Sequence, residues 1–340
     1  MKIATLTLNP ALDLTMYFGD GLKFGTLNRA IAPSVTKLGG KGTNVSCILK
    51  LFGIESKAYG FVGGESGDAF LNLLSPYGIH TDFTRTKCAT RTNVKIISES
   101  GQDTEFNEAG GPVEAAETKD LMAKIEAAIS EADLFFMGGS VPLGIGVDIY
   151  KNILDMGEAI NPKIKFALDC DGEALRLCMA NKKKPFAIKP NRYELELFSG
   201  KRFDLEYDFE AALDEVKKEI KKIYEQTGVL VLCTLSQYGG LYCGDEGVFY
   251  VRAPKVKVKG FTGAGDTFFT SFVAAYFGLL DFAAIPRQTR CVCHPLSKGG
   301  LDAEQSLAFA VAAASAKVEK PGTEFATMQE IAVMHEKIKI

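Results

Sequence analysis

The sequence predicts an α/β protein built on a doubly wound, mostly parallel sheet that is flanked by helices. Three observations lead to this fold class. From about residue 113 onward, short apolar segments alternate regularly with amphipathic ones. At least five of the apolar segments end in polar or glycine-rich residues, where a parallel sheet binds its ligands. The chain shows no internal repeat and no low-complexity linker.

Composition narrows the class of protein further. With 340 residues, 46% of them hydrophobic, the chain can bury a large core in two domains or in one large α/β domain. A net charge of −3 argues against nucleic acid as the main partner. The sequence contains no run of apolar residues that would span a membrane and no signal-peptide pattern, so we expect a cytoplasmic location.

The eight cysteines lie mostly inside apolar segments, which is typical of reduced, buried thiols in a cytosolic protein. The exception is a polar stretch with Cys291, Cys293 and His294. Four ligands are needed to enclose a structural zinc ion, and the sequence offers no second cysteine or histidine pair. We therefore expect no zinc site there.

The first strand is expected over residues 2–8, where the chain is mostly apolar. Pro10 stops it, so Asp13 lies just beyond a strand end. Asp13 taken alone is better explained as a solvated turn residue than as a ligand-binding one. Residues 14–37 carry no helix signal and are expected to form extra strands away from the main sheet.

Residues 38–44 place three glycines around Lys41 at the entrance of a predicted helix. This pattern indicates backbone that closely approaches a ligand, with a cation above it. The segment is not a Walker A loop, and no G-x-G-x-x-G follows the first strand, which argues against a dinucleotide-dependent dehydrogenase.

Residues 90–97 alternate polar and apolar side chains with period two, after a strand over 57–62 and a helix over 67–77. Arg91, Asn93 and Lys95 therefore share one face of a strand. Two cations and an amide on one face could hold a phosphate dianion, and an ordinary solvated strand face is an equally good interpretation. A second exposed strand is expected over 102–107.

The regular alternation that follows places helices over 114–130, 146–160, 171–181 and 207–226. Strands are expected over 133–137, 165–169, 186–188 and 229–233. After the third of these, Asn191 and Glu194 share one face of a helix start, either to serve a ligand or as an ordinary capping box.

Residues 261–269 are the stretch on which the functional hypothesis depends. Gly263, Ala264 and Gly265 precede a buried helix, so backbone N–H groups are left to bind an anion. Asp266 follows in the first helical turn. Bare amides beside a carboxylate suit phosphoryl transfer to a hydroxyl, where the carboxylate orients the acceptor and takes its proton. These four residues alone would favour an ordinary helix cap, and the strand-end residues elsewhere favour the site.

With these pieces in hand, the chain resembles the ribokinase-like (PfkB) carbohydrate kinases over essentially its whole length. It is most similar to the branch of 1-phosphofructokinases and tagatose-6-phosphate kinases. The resemblance rests on five motifs that occur in the right order, at residues 8–13, 39–44, 90–95, 189–194 and 263–266. One of these motifs alone would be weak, whereas all five in order are specific.

The resemblance implies a fold and a set of roles. The α/β domain would comprise residues 1–11, 38–88 and 111–340, and a β-sheet lid would comprise 12–37 and 89–110, with two lids pairing in a homodimer. Asp266 would be the catalytic base, and the amides of Gly263, Ala264 and Gly265 would form the anion hole. The acceptor sugar phosphate would be bound by Asp13, Gly40, Lys41, Asn44, Arg91, Lys95 and Ser140. ATP would be bound by Lys189, Asn191, Glu194, Thr234, Ser236, Gly239 and Gly322, with Glu194 ordering Mg²⁺.

The activity that this resemblance implies is ATP-dependent phosphorylation of a ketohexose phosphate. Fructose 1-phosphate is the expected acceptor, giving fructose 1,6-bisphosphate, and tagatose-6-phosphate kinase or 6-phosphofructokinase activity is the alternative. From a different class, the chain could be a catalytically weak sugar-phosphate sensor. Residues 281–301 form a longer connection than the family pattern suggests, so the nucleotide preference stays open.

Overall fold

The computed structural model describes residues 1–100, 103–281 and 300–338. Thirteen strands occur in this part of the chain. They are β1 Ile3–Thr7, β2 Ala11–Phe18, β3 Ala32–Gly39, β4 Lys57–Gly63, β5 His80–Thr86, β6 Arg91–Ser98, β7 Asp103–Phe106, β8 Leu134–Gly138, β9 Lys165–Asp169, β10 Ala187–Ile188, β11 Leu230–Thr234, β12 Gly240–Gly244 and β13 Gly247–Val251. The long apolar strands predicted from the sequence are all present.

Ten α-helices accompany these strands in the same described residues. They are α1 Lys41–Leu51, α2 Gly64–Leu74, α3 Ala115–Glu131, α4 Ile149–Ile160, α5 Gly172–Ala180, α6 Arg192–Ser199, α7 Phe209–Thr227, α8 Ala264–Tyr276, α9 Ala303–Val318 and α10 Met328–His335. The apolar stripe of α7 is buried as its periodicity predicts.

The main sheet has nine strands in the order β13-β12-β11-β10-β9-β8-β1-β4-β5. Seven of them are parallel, and β12 and β13 add an antiparallel extension at one edge. After β1, the strands β4 and β5 are added on one side of it. The strands from β8 onward are then added on its other side. The strand order therefore reverses between β1 and β8, and such a reversal opens a crevice at the carboxyl ends of the strands.

Helices cover both faces of this sheet, which confirms the predicted doubly wound class. Side chains from α3, α4, α5 and α7 pack in one hydrophobic cluster with the strands, and those from α1, α8 and α9 pack in another on the opposite face. The central strands β1 and β8 are buried along their whole length. This is why they read as continuous apolar runs rather than as alternating ones.

A second sheet, called the small sheet below, has the order β3-β2-β6-β7. In it β2 pairs in parallel with β6 and antiparallel with β3. The prediction that residues 14–37 form strands away from the main sheet is confirmed. Strand β6 alternates polar and apolar residues because it lies in this small sheet. Lys95 is the one residue of β6 that is buried.

Several features could not be recognised in advance. The edge strand β5 and the hairpin of β12 and β13 were not predicted, because the edge strand is largely polar and the hairpin repeats no helix-strand pattern.

Six cysteines lie in the described residues and all are free thiols, five of them buried, as expected. Residues 282–299, which include Cys291, Cys293 and His294, lie outside the described residues. No helix in the described ranges is both long and apolar enough to cross a membrane.

Candidate active site

The amino terminus of α8 is formed as the glycine-rich stretch predicts. Gly263 caps the helix with φ of 82°, a left-handed conformation that side chains other than glycine rarely adopt. The amide of Ala264 donates to the carbonyl of Phe261 at 3.0 Å and closes the entering turn. At Gly265 a side chain would stand 3.3 Å from the Nζ atom of Lys189. The helix start therefore combines a positive dipole end with an ammonium group, which suits an anion.

Asp266 lies in the first turn of α8 and is only 8% exposed. Its carboxylate accepts a hydrogen bond from the Nδ2 atom of Asn44 at 2.7 Å. Burial, followed by the nearby charge of Asp169, raises the pKa of Asp266, while Lys41, Asn44 and Lys189 act against that rise. A carboxylate with a raised pKa is a better proton acceptor than an ordinary one.

Asp169 ends β9, is 5% exposed, and joins two lysines. The Nζ atom of Lys41 lies 2.7 Å from one carboxylate oxygen, and that of Lys189 lies 3.2 Å from the other. Burial alone would raise the pKa of Asp169, but the two lysines hold it below its ordinary value. Burial also opposes the charge on Lys41, yet Asp169 raises the pKa of this lysine above its usual range. Lys41 thus stays charged inside the protein.

These residues form one group, called the sheet-edge cluster below: Lys41, Asn44, Asp169, Lys189 and Asp266. Two helices and two strand ends contribute to it. Helix α1 can approach because Gly42 has no side chain, and a Cβ there would stand 2.3 Å from the carbonyl oxygen of Leu6. The hydroxyl of Thr7 fixes the helix start by accepting from the Thr43 amide at 2.7 Å. The glycine-rich segments 38–44 and 261–269 thus meet in this cluster, through the hydrogen bond from Asn44 to Asp266.

Asp13 lies on β2 beside the same region and accepts a hydrogen bond from the Nδ2 atom of Asn93 at 2.9 Å. The next strand passes closely, since a Cβ on Gly39 would stand 2.4 Å from the Asp13 carboxylate. Burial raises the pKa of Asp13 to about 6, with smaller contributions from Asn93, which lowers it, and Glu105, which raises it. Gly40 has φ of 122° and leads directly into α1.

Arg91 begins β6 and holds the loop that follows β1. Its guanidinium donates to the carbonyls of Asn9, at 3.1 and 3.3 Å, and of Glu108, at 2.7 Å. The Nδ2 atom of Asn9 in turn lies 3.2 Å from the Oγ atom of Ser140. Because Asn9 follows β1 and Ser140 follows β8, these groups meet at the point where the strand order reverses.

Lys95 shares a strand face with Arg91 but contacts a different part of the protein. Its Nζ atom lies 3.0 Å from Glu105 and 3.1 Å from the hydroxyl of Thr262, just before the start of α8. Four residues along a strand correspond to about 13 Å. Thus the structure brings Lys95 to the helix start and Arg91 to the switch point, and does not bring both to one position.

The residues predicted to bind ATP lie along the ends of β10 and β11. Asn191 and Glu194 form a reciprocal capping box at the start of α6, so the capping interpretation is confirmed. Asn191 also bridges Thr234 across the two strand ends. Ser236 is exposed with φ of 53°, an uncommon conformation for a residue with a side chain. Gly239, with φ of 114°, closes the same turn, and Gly322 lies apart, in the segment after α9.

Sequence reasoning did not single out Asp169, Asn9 or Thr262 as site residues. The available signal for Asp169 was a carboxylate at a strand end, the same signal that drew attention to other strand exits. Its two lysine partners are 128 and 20 residues away in the chain. Nothing local in the sequence indicates such a pairing.

Comparison with known proteins agrees with this geometry. A family model described as pfkB family carbohydrate kinase matches residues 6–330. The chain is 33% identical to a 1-phosphofructokinase of Bacillus subtilis, over 80% of this chain and 84% of the relative. It is also 33% identical to a 1-phosphofructokinase of Borreliella burgdorferi, over 81% and 84%. Phosphofructokinase-2 from Escherichia coli, solved in complex with potassium, has the same fold, with a TM-score of 0.82, 22% identity and 98% of both chains covered. The chain belongs to the pfkB family of carbohydrate kinases.

Proposed function

We propose that this protein transfers the γ-phosphoryl group of ATP to fructose 1-phosphate and so makes fructose 1,6-bisphosphate. The observation that carries the proposal is the buried Asp266 carboxylate beside an amide-rich helix start, with the Lys189 ammonium over Gly265. Phosphoryl transfer needs positioning and charge stabilisation more than covalent chemistry, and these groups supply both. The two relatives named 1-phosphofructokinase support fructose 1-phosphate as the acceptor.

The acceptor phosphate would bind at the switch point between β1 and β8. Arg91 offers a fork of donors there, and Asn9 and Ser140 add polar groups from two neighbouring strand ends. Asp13, Gly40, Lys41 and Asn44 would then meet the sugar hydroxyls between this point and α8. Lys95 would act nearer to the transferred group, through its contact with Thr262.

In the reaction, Asp266 would orient the free primary hydroxyl of the sugar and accept its proton as the oxygen bonds to phosphorus. The bond from the γ-phosphorus to the bridging oxygen breaks, and ADP leaves with the electron pair. Asn44 would hold the carboxylate in place, and Asp169 would keep Lys41 charged and hold both Lys41 and Lys189 in position. The amides of Gly263, Ala264 and Gly265 would bind the transferred group, with the first turn opening where Ala264 now contacts Phe261.

The ATP phosphates would lie along Lys189, Asn191, Thr234, Ser236 and Gly239, with Gly322 nearer the base. Among the described residues no cluster of three or more ligating side chains could hold a metal by itself. Magnesium does not require one, because one or two carboxylates and the substrate phosphates suffice. Glu194 fits this role, since its Oε2 atom accepts from the Asn191 amide and its Oε1 atom, which has no hydrogen-bond partner among the described residues, could accept from a metal-bound water. When bound, Mg²⁺ would neutralise phosphate charge.

The proposal extends to the assembly and location of the protein. The small sheet, as part of a lid over residues 12–37 and 89–110, would cover the sugar and pair with a second copy in a homodimer. Exposed apolar side chains in the loop between β2 and β3 support such pairing: Phe24 is 95% exposed and Leu27 is 77% exposed. A cytoplasmic location would suit both substrates. Light scattering in solution tests the dimer, and a monomer at micromolar concentration would contradict it.

The experiment that tests the activity is a coupled assay of ADP release with three acceptors at equal concentration. Fructose 1-phosphate should give the highest kcat/KM, and fructose 6-phosphate and tagatose 6-phosphate should give lower values. A preference for tagatose 6-phosphate or fructose 6-phosphate would reassign the acceptor. Binding of a sugar phosphate without ADP release would make the protein a sensor.

A further inference from the structure

Besides Lys189 and Lys95, a further lysine lies close to the start of α8, and it has no part in the reaction described above. Lys317 is on α9, and its side chain is 0% exposed, which is rare for a lysine. Its Nζ atom donates to the carbonyl oxygen of Gly322 at 2.6 Å. A Cβ built on Gly263 would stand 3.7 Å from its Cε atom. The ammonium is therefore buried behind the residue that caps α8.

The segment that Lys317 holds also supports the loop leading into α8. The amides of Lys259 and Gly260 donate to the carbonyl of Val318, at 2.7 and 3.3 Å. Gly260 packs so closely that a Cβ on it would stand 2.8 Å from the Gly322 amide nitrogen. Lys317 thus makes a buried polar contact to the segment 318–322, which packs against residues 259–260 directly behind the proposed anion site.

We propose that Lys317 is a positioning residue for phosphoryl transfer: its buried ammonium fixes the segment 318–322 against Gly263 and adds positive charge behind the amides. This inference rests on the proposed function, because it assigns a role in the same anion site. Charge placed in a buried, preorganised position acts more strongly on a developing negative charge than charge in water.

The surroundings of Lys317 destabilise its protonated form. Burial, followed by repulsion from Lys95 of β6, lowers the pKa of Lys317 to about 8, and Glu324 opposes that fall. These are the charged groups that act on it from the elements around it. Lys317 is therefore mostly protonated at pH 7, half protonated near pH 8 and largely neutral above pH 9.

The test compares Lys317→Met, which keeps most of the length and removes the charge, with Lys184→Met. Lys184 also donates to backbone carbonyls, those of Met179 and Asn181, and lies outside the proposed site. Lys317→Met should lower kcat ~10- to 100-fold, the range for losing a buried charge-assisted contact, with KM for the sugar phosphate within about twofold. Lys184→Met should keep the wild-type kcat. Wild-type kcat/KM, which reports the ionisation of the free enzyme, should also fall as pH rises through about 8, and this fall should be absent from Lys317→Met.

Chemical rescue separates charge from packing. Lys317→Ala removes a propylammonium fragment, so added propylammonium should restore part of its kcat, and neutral propanol should not. A kcat of Lys317→Met within twofold of wild type, or an absence of rescue in Lys317→Ala, would overturn the assignment. ATP hydrolysis without acceptor uses the same anion site and is measured in parallel. If wild type releases ADP by hydrolysis but phosphorylates no sugar phosphate, the proposed function fails while Lys317 can still be judged.

Discussion

The sheet-edge cluster and the small sheet contain the same kinds of charged residue in different surroundings. In the cluster, two lysines and two aspartates lie at the ends of buried strands and at helix starts, and Asp169 and Asp266 are almost fully enclosed. In the small sheet, Asp13 and Arg91 are half-buried and contact backbone carbonyls and amide side chains. The cluster lies within the main core, whereas the small sheet packs against that domain through Leu12 and Leu38 at one end.

This difference suggests a division of work. The groups proposed to meet the reacting atoms lie in the buried cluster, where close packing holds side chains in fixed positions. Two groups proposed to bind the acceptor, Asp13 and Arg91, lie instead on the separate small sheet. Changes in the cluster should therefore affect rate and stability, and changes in the small sheet should affect acceptor binding.

The largest effect is expected at Asp266. Asp266→Asn keeps the shape and the contact with Asn44 but cannot accept a proton, so kcat should fall ~10²- to 10⁴-fold. Binding of ATP and sugar phosphate, measured by calorimetry, should change little. Asp208→Asn, which alters the cap of α7 far from the site, is the matched control. Near-normal turnover in Asp266→Asn would remove this residue from the role of base.

The next effect concerns stability. Asp169→Asn leaves Lys41 and Lys189 without their shared carboxylate, and breaking a buried pair in this way costs ~3–5 kcal/mol in the free energy of unfolding. Urea denaturation measures this change in the free energy of unfolding. Glu215→Gln removes an exposed, solvent-screened ion pair with Lys218 and should leave the free energy of unfolding almost unchanged. Equal losses in the two variants would mean that the cluster is no more tightly held than the surface.

A smaller effect is expected at Arg91. Arg91→Ala should raise KM for the sugar phosphate ~10- to 100-fold, since a charge-assisted contact contributes ~1.5–3 kcal/mol, and KM for ATP should stay unchanged. Arg85→Ala, an exposed arginine on β5 that pairs with Asp68, provides the control. An unchanged KM for the sugar phosphate would exclude Arg91 from the acceptor site.

The smallest effect is a gain in stability at Asp13. Its pKa of about 6 lies above the ordinary value because of burial, so the folded protein binds this proton more tightly than the unfolded chain. The ionised carboxylate therefore destabilises the fold above about pH 6, and this penalty disappears as the pH falls toward 4. Asp13→Asn should raise the free energy of unfolding by on the order of 2 kcal/mol at pH 8 and by little at pH 4.

The same substitution at Asp13 should weaken sugar binding, as expected when a site residue is kept at the expense of stability. Asp20→Asn is its control, because hydrogen bonds from Ser100 lower the pKa of this exposed aspartate. Asp20→Asn should therefore give no stabilisation. A pH-independent gain at Asp13 would mean that packing rather than charge is responsible.

The sequence predicted the fold class, most strands and helices, and the start of α8, because periodicity and glycine position are local signals. Asn191 and Glu194 were recognised as a capping pair for the same reason. The separation of Arg91 from Lys95 was not predicted. A period of two shows which face of a strand a side chain lies on, but not which neighbouring residue it contacts. Asp169 and Lys317 were missed because their partners are brought together only by the finished fold.

The most direct test of the division of work is the ratio of kcat/KM for fructose 1-phosphate to that for fructose, which has no phosphate. We measure it in wild type, Asp266→Asn and Arg91→Ala. The account predicts that the ratio falls ~10- to 100-fold in Arg91→Ala and stays at the wild-type value in Asp266→Asn, even though all rates fall in the latter. A ratio that is unchanged in Arg91→Ala, or that falls equally in both variants, would contradict it.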